Sequence, residues 1–178
     1  MEVDIINKFE EIYNKESDAI FRFCFIRVSD REQALDITQE TFLRLWQSLQ
    51  DGKEILNDKA FLFTVARRLV IDLYRKKKSL SLDKIISEKE EGGYDVEDES
   101  TRENKLIIGI EGRYLIDKIN ELEESYRELL YLRFVEDLSP PEIGEILGIS
   151  ANAASVRINR GLEELRKISG YSLDVKNK

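Results

Sequence analysis

The sequence contains no histidine and only one cysteine among its 178 residues. The absence of histidine removes the commonest general base and the commonest metal ligand of proteins. Cys24 alone cannot form a disulfide within the chain or a thiolate zinc site. A glycine-rich phosphate loop and a G-x-S-x-G nucleophile elbow are also missing from the sequence. We therefore predict a protein that is not an enzyme and has no catalytic residues, no metal site and no cofactor.

Long apolar runs are missing as well. No stretch approaches the roughly 20 apolar residues that are needed to cross a bilayer, and the acidic start MEVDIINKFEE does not resemble a signal peptide. A single cysteine is typical of a reducing compartment. Cys24 lies in the apolar run FRFCFI, so we expect a buried thiol rather than a redox sensor. The sequence predicts a cytoplasmic protein with no membrane insertion.

Prolines and glycines are scarce, at two and nine. The long stretches between them carry apolar residues at helical spacing, which predicts an all-α fold. Charge is uneven, because residues 59–82 carry seven cations against one acid, whereas residues 83–103 carry nine acids against three cations. The acidic stretch has few large apolar side chains and includes Gly92-Gly93, so it cannot bury enough surface to order itself.

These patterns indicate two small helical domains joined by a flexible acidic linker. The predicted boundaries are residues 1–80 for the first domain, 81–103 for the linker, 104–170 for the second domain and 171–178 for a tail. In the first domain a new helix begins after Ser29-Asp30, because either residue can form a capping box with a Glu or Gln three positions later. Its core stripe is expected at Leu35, Thr38, Phe42, Leu45 and Leu49.

The second domain contains two helical patterns separated by one tight break, SPPEIGEILGISANAASVRINRGLEELRK at residues 139–167. Ser139 and Glu142 can form a capping box around the two prolines of the first turn. Gly148 suits the left-handed residue that ends a helix, and Ser150 can cap the next helix. The buried stripe of that helix is expected at Ala154, Ile158, Gly161, Leu162 and Leu165, with the small residues Ala154 and Gly161 permitting close packing on the first helix.

The opposite face of this last helix carries residues that can contact DNA. Serine and asparagine can hydrogen-bond base edges, and arginine can bond guanine or phosphate. The spacing predicts a helix-turn-helix whose second helix enters a major groove. The predicted DNA-binding residues are Ser150, Asn152, Ser155, Arg157, Asn159 and Arg160. The alternative is a helical hairpin with a solvated polar face.

A basic helix, AFLFTVARRLVIDLYRKKK, follows Asn57-Asp58-Lys59 in the first domain. Its inward face is predicted at Leu62, Val65, Ala66, Leu69 and Leu73. Cations can neutralise phosphates, and exposed aromatic rings can stack on unpaired bases, so this helix could hold a separated strand. The residues expected in that role are Phe61, Arg67, Arg68, Tyr74, Arg75, Lys76, Lys77 and Lys78. The alternative is a basic surface helix whose phenylalanines, Phe61 and Phe63, belong to the core.

Four stretches of the two predicted domains, at residues 27–47, 59–78, 119–150 and 156–167, form a recognisable series: RVSDREQALDITQETFLRLWQ, KAFLFTVARRLVIDLYRKKK, INELEESYRELLYLRFVEDLSPPEIGEILGIS and VRINRGLEELRK. In this order, and in a chain of this length, these stretches resemble the extracytoplasmic-function (ECF) sigma factors of bacterial RNA polymerase. The resemblance implies sigma region 2 in the first domain and region 4, the reader of the minus-thirty-five element, in the second. It also implies three partners, namely core RNA polymerase, promoter DNA and an anti-sigma factor.

The resemblance further implies a binding segment for the largest polymerase subunit, of the form D-x-x-Q-E-x-F. The residues that carry over are Asp36, Gln39, Glu40 and Phe42, and the predicted set also includes the nearby Arg44 and Trp46. The alternative for Trp46 is plain core packing. The basic helix and the loop before it resemble the element that opens the promoter and captures a flipped base, which costs a few kcal/mol of stacking. The sequence departs from the family pattern at Arg68, Ala153 and Ser155 and in a longer loop at residues 51–58, so base preferences do not carry over.

The net charge of −8 disfavours DNA binding by the isolated chain, because nonspecific affinity comes mainly from cations that release counterions. A sigma factor does not need that affinity, since the polymerase supplies much of the positive channel. The alternative function is a stand-alone dimeric helix-turn-helix regulator, which predicts palindromic sites and a self-associating helix. The sequence has no obvious heptad zipper for such a dimer.

Overall fold

The computed structural model describes residues 2–87 and 117–169, and every regular element in these two ranges is an α-helix. The prediction of an all-α fold is confirmed. The helices with described bounds are α1 (Glu2–Val28), α2 (Arg31–Gln50), α3 (Asp58–Ser87), α4 (Glu124–Phe134), α5 (Pro140–Leu147) and α6 (Ala151–Ser169). Residues 117–120 are also helical. The chain divides into two compact units, Met1–Asn104 and Lys105–Lys178. Residues 88–103 of the predicted linker and the predicted tail at 171–178 lie outside the described residues.

The first unit is a bundle in which α1, α2 and α3 each pack against the other two. Its centre contains Phe23 and Cys24 of α1, Leu45 of α2, and Phe63 of α3, all fully buried. The rings of Phe23 and Phe63 meet edge to face, with centroids 5.2 Å apart. The expected burial of the Cys24 thiol is therefore confirmed, and Phe63 belongs to the core rather than to an exposed aromatic surface.

Helix α2 begins at the second of the two caps that the sequence allowed. The backbone N–H of Gln33 donates to Asp30 Oδ1 at 2.9 Å, and Gln33 Nε2 donates to Asp30 Oδ2, also at 2.9 Å. Ser29 precedes the cap in the left-handed region, with φ 52°. Both cap hydrogen bonds are made within four residues of chain, which is why local sequence could anticipate them.

The predicted core stripe of α2 is right at four of its five positions and wrong at Leu35. Leu35 is 39% exposed, whereas the buried residues of α2 are Ala34, Ile37, Thr38, Thr41, Phe42, Leu45, Ser48 and Leu49. A strict heptad drifts by about 20° per repeat around an α-helix, and α2 also packs against α3, which covers its Ile37 side. Thr41 can be buried there because its hydroxyl donates to the Ile37 carbonyl at 2.7 Å.

Helix α3 begins just after Asn57, whose Oδ1 accepts the backbone N–H of Ala60 at 2.9 Å. Its inward face is as predicted at Leu62, Val65 and Ala66, which are buried, while Leu69 and Leu73 are half-buried. The helix continues to Ser87, seven residues beyond the predicted end of the first domain. Residues 79–87 contain neither glycine nor proline, so nothing in the local sequence ends the helix earlier.

In the second unit, α6 packs against both α4 and α5. Both Ser139 N–H and Ser139 Oγ donate to Glu142 Oε2, at 2.8 and 2.6 Å, which confirms the predicted capping box at the start of α5. Gly148 ends α5 with φ 68°, and Ser150 Oγ accepts the N–H of Ala153 at 3.1 Å. The break between the two helices is therefore built as the sequence predicted.

The stripe of α6 that packs inward is deepest at Ala154, Ile158 and Gly161, while Leu162 and Leu165 are half-buried. The nearest side chain to Gly161 is Leu130 of α4, because a Cβ added at Gly161 would lie 3.3 Å from three Leu130 atoms. The closest neighbour of Gly161 is therefore on α4, whereas the sequence analysis named only α5 as its partner. The glycine at which a Cβ would meet the α5–α6 turn is Gly144, where it would lie 2.7 Å from the Ile149 carbonyl oxygen.

Candidate functional site

Helix α6 presents a polar face away from α4 and α5. Of the six predicted DNA-binding residues, five are exposed, namely Ser150, Asn152, Arg157, Asn159 and Arg160, and Ser155 is half-buried. Ser150 also caps the helix through its Oγ. The same face includes Val156, 42% exposed, which was not among the predicted residues. The prediction considered only polar side chains and therefore missed Val156. Its position in the helical repeat does indicate that it faces outward.

Helix α3 presents the predicted basic surface in two parts. At about 100° per residue, Phe61, Arg68 and Arg75 repeat every seven positions along one side of the helix. Arg67 and Tyr74 lie about 100° away from that line, and Tyr74 is tied to α1 because its hydroxyl donates to the carbonyl oxygen of Arg27. Arg68, Tyr74, Arg75, Lys76 and Lys77 are exposed, whereas Phe61 and Arg67 are half-buried. The side chain of Lys78 lies outside the described residues.

The outward face of α2 contains only part of the set that the resemblance implied for polymerase binding. Asp36 and Gln39 are exposed, and the half-buried Glu40 and Arg44 form an ion pair in which Nε and Oε1 are 2.8 Å apart. The structure does not bring Phe42 to this surface. Its side chain is 3% exposed, and its ring meets that of Tyr13 at a centroid distance of 4.8 Å.

Trp46 is half-buried and packs edge-on against Phe9 of α1, with centroids 5.3 Å apart. Its position therefore serves the α1–α2 contact. Leu43, in contrast, is 48% exposed and lies between Gln39 and Gln47 on the outward face of α2. Leu43 is the large apolar residue of this face that the predicted set omitted, although the helical repeat that turned Gln39 outward also turned Leu43 outward.

A groove of about 510 Å³ runs between α2 and α3. Residues of α2 on its wall are Asp36, Ile37, Glu40 and Arg44, and residues of α3 are Leu69, Asp72, Leu73, Arg75 and Lys76. Its apolar lining is formed by Ile37, Leu69 and Leu73, and its charged lining contains residues of both signs. The groove therefore places predicted polymerase-binding residues of α2 next to the predicted strand-binding residues Arg75 and Lys76 of α3.

Cys24 and Lys167 have pKa values that are shifted by their surroundings. Burial raises the pKa of the Cys24 thiol to about 12, although a hydrogen bond with Thr38 opposes this shift. A hydrogen bond to Glu164 raises the pKa of Lys167, an exposed group. Within residues 2–87 and 117–169, no cluster of three or more acidic, cysteine or histidine side chains is placed to hold a metal ion. None of the helices described there is both long and apolar enough to span a bilayer.

The two units match two different regions of one protein family. Sigma-70 region 2 matches residues 12–80, and sigma-70 region 4 matches residues 112–165. A chain that carries both regions in this order is a sigma factor of the sigma-70 class. The helix-turn-helix thus falls within region 4, and the basic helix within region 2.

Comparison with individual sigma factors assigns the chain to a smaller group within this class. The chain is 30% identical over 165 residues to the ECF RNA polymerase sigma factor SigW of Bacillus subtilis, with 89% of this chain and 87% of SigW covered. It is 30% identical over 150 residues to the RNA polymerase sigma factor SigV of the same organism, with 82% and 81% covered. The chain belongs to the ECF sigma factors, and it is a promoter-specific sigma factor of RNA polymerase.

A solved structure shows the same fold. The sigma factor RpoE of Bartonella quintana, crystallised with the anti-sigma factor NepR, superposes with a TM-score of 0.65 at 21% identity, covering 93% of this chain and 98% of RpoE. The predicted ECF membership and sigma-factor function are confirmed, and the alternative of a stand-alone dimeric regulator is not supported. The roles assigned to individual residues remain predictions.

Proposed function

We propose that the two units divide the work of promoter recognition between them. The first, assigned to residues 1–80, binds core RNA polymerase through the outward face of α2 and holds a separated promoter strand along α3. The second, assigned to residues 104–170, reads the minus-thirty-five element with α6, and residues 81–103 connect the two. The chain itself catalyses no reaction and acts in the cytoplasm, where the polymerase is found.

The observation that carries the proposal is the composition of the outward face of α2. Leu43, nearly half exposed, lies on this face with Gln39 and Glu40 one helical turn before it and Gln47 one turn after it. An apolar centre with a polar rim is typical of a protein interface. The Glu40–Arg44 ion pair is partly exposed, and such pairs contribute little to folding stability. Its charges are therefore available to a partner at small cost to the fold.

A cluster of aromatic residues, with Phe42 buried and Trp46 half-buried, supports this surface from beneath. Phe42 packs against Tyr13 and Phe9, and Trp46 packs against Phe9. We assign Phe42 and Trp46 the role of holding α2 in place, and Asp36, Gln39, Glu40, Leu43 and Arg44 the role of contacting the polymerase. This assignment moves Phe42 from the contact set that the family resemblance implied to the supporting core.

The basic side of α3 is suited to a single strand rather than to a duplex groove. Arg68 and Arg75 lie on one line of the helix with Phe61, so phosphate contacts and a partly exposed ring occur along the same side. Tyr74 adds a second exposed ring whose hydroxyl is already bonded to α1. Held in this way, the ring can stack on an unpaired base without first losing much conformational freedom.

Promoter binding by this chain depends on the polymerase. A net charge of −8 gives the free protein little counterion-release advantage on DNA, whereas a holoenzyme supplies additional positive surface. We also extend to this chain the kind of partner found with RpoE, an anti-sigma factor that covers these surfaces and keeps the protein inactive.

The test compares two substitutions that add the same charge to exposed apolar positions. Leu43→Asp places a carboxylate at the centre of the α2 face, and Ile6→Asp places one on α1, where Ile6 is 40% exposed. We expect Leu43→Asp to weaken binding to purified core polymerase by at least about tenfold, as for a central interface residue, and Ile6→Asp to bind as the wild type does. Fluorescence anisotropy of the labelled full chain measures both affinities.

Two results would contradict the proposal. One is failure of the wild-type chain to associate with core polymerase at all. The other is wild-type affinity of the Leu43→Asp variant, provided that its circular dichroism spectrum and thermal unfolding show an intact helical fold.

A further inference from the structure

Val156 lies at the middle of the outward face of α6. The inward face is defined by Ala154, Ile158 and Gly161, all of which are buried. At about 100° per residue, Val156 points about 140–160° away from each of these three positions. Its side chain is 42% exposed, so it contributes little to the packing of α6 on α4 and α5.

Polar side chains surround this valine on the surface. Asn152 lies one helical turn before it, and Asn159 and Arg160 lie one turn after it, and all three are exposed. Ile168, the other exposed large apolar residue of α6, lies about 18 Å further along the helix axis. The apolar position is therefore single and central within the part of the helix that is predicted to contact DNA.

The chemistry of a valine restricts which base edge it can face in a major groove. It has neither donor nor acceptor, so a guanine, adenine or cytosine edge pressed against it would lose hydrogen bonds to water without replacement. Thymine presents a C5-methyl group in the major groove. A β-branched side chain also has one strongly preferred rotamer in a helix, so its methyl groups are already positioned.

We infer that Val156 is a specificity-determining residue that contacts the C5-methyl group of a thymine in the minus-thirty-five element. This inference rests on the proposed function, in which α6 enters the major groove of that element. Asn152, Asn159 and Arg160 make the polar contacts to neighbouring base edges or phosphates. Val156 adds selection for thymine at one position between them.

The first experiment finds the position. Full-length protein and core polymerase are assembled into holoenzyme and used to select promoters from a library that is randomised in the minus-thirty-five element. We expect the wild type to enrich thymine at one position and Val156→Ala to lose that enrichment while keeping the preferences at other positions. Alanine has the higher helix propensity and Val156 lies outside the core, so the variant is expected to fold. Ile168→Ala is the matched control and should select as the wild type does.

The second experiment removes only the thymine methyl group. At the identified position, deoxyuridine replaces thymidine, and holoenzyme binding is measured for the wild type and for Val156→Ala on both DNAs. Burying one methyl group corresponds to about a fourfold change in affinity. The wild type should therefore bind the deoxyuridine promoter about fourfold more weakly, while Val156→Ala should bind the two DNAs almost equally.

The outcomes separate this inference from the function on which it rests. If the wild type selects no sequence in the minus-thirty-five element, the proposed role of α6 fails and the inference fails with it. If the element is selected but Val156→Ala changes no position, or if the wild type binds deoxyuridine and thymidine promoters equally, the inference is wrong and the proposed function stands.

Discussion

Two buried glycines of the second unit provide a test in which local and tertiary effects compete. Gly144 lies inside α5 and Gly161 lies inside α6. Glycine in a helix interior is less favourable than alanine by about 1 kcal/mol. From helix propensity alone, alanine should therefore stabilise the protein at either position.

The surroundings of the two glycines lead to different expectations. A Cβ at Gly144 would lie 2.7 Å from the Ile149 carbonyl oxygen and 3.2 Å from the Ala151 nitrogen, both of them backbone atoms. The Ile149 N–H also donates to the Gly144 carbonyl at 2.9 Å, which holds the turn close to α5. Overpacking of this kind costs about 1–3 kcal/mol. Subtracting the gain in propensity of about 1 kcal/mol leaves a net cost of up to about 2 kcal/mol, so we expect Gly144→Ala to destabilise the second unit.

At Gly161 the neighbour can move. The added Cβ would lie 3.3 Å from three atoms of the Leu130 side chain, which can shift by a few tenths of an ångström. The gain in helix propensity then nearly offsets the repacking of Leu130, and we expect Gly161→Ala to change the free energy of unfolding by less than about 1 kcal/mol.

Native-state hydrogen exchange of the full chain measures both effects, because it resolves the two units separately. Amides of α4 and α6 report on the second unit, and amides of α1–α3 serve as an internal control that neither variant should alter. The reasoning is refuted if Gly144→Ala protects α4 and α6 as well as the wild type, or if Gly161→Ala loses more protection than Gly144→Ala.

Two further predictions concern the first unit. Because burial raises the pKa of the Cys24 thiol from 9.0 to about 12, Cys24 should react with thiol reagents only after unfolding. The pKa of the thiol is higher in the folded state than in the unfolded state, so the unfolded chain loses this proton first as the pH rises. The part of the free energy of unfolding that depends on Cys24 should therefore be constant below pH 9.0 and decline towards pH 12. Cys24→Ala should lack this decline, and rapid labelling of the native thiol would contradict the argument. Asn57→Ala removes the acceptor of the Ala60 N–H and should cost about 1 kcal/mol in urea unfolding. Asn57→Asp, which keeps the acceptor, is its control, and equal stability of Asn57→Ala and wild type would show that the cap is unimportant.

The features that the sequence predicted best are those made by neighbours along the chain. Asp30 is bonded to Gln33, and Ser139 to Glu142, within four residues of chain. Gly148 and Ser150 determine the break before α6 in the same local way. The motifs of a sigma factor were visible for the same reason, because their order and spacing are properties of the chain itself.

Other features depend on residues that are far apart in the sequence. Tyr74 is bonded to Arg27, 47 residues away, and helical periodicity alone does not show that contact. Periodicity also placed Leu35 in the core and left Phe63 undecided between core and surface, because one helix cannot show how far its neighbours cover it. Periodicity placed Phe42 in the core stripe of α2, but it could not show that the rings packed against it are those of Phe9 and Tyr13 in another helix.

The amino-acid sequence by itself determined the all-α class, the caps around α5 and α6 and the family, since each depends on local hydrogen bonds, helical spacing or the order of motifs. Only the tertiary structure decided which side chains remain exposed. Leu35, which helical spacing had placed in the core, stays 39% exposed, and Gly144 is a helix glycine that a neighbouring turn requires. The physical reason is that burial depends on the atoms packed against a residue, and those atoms belong to other parts of the chain.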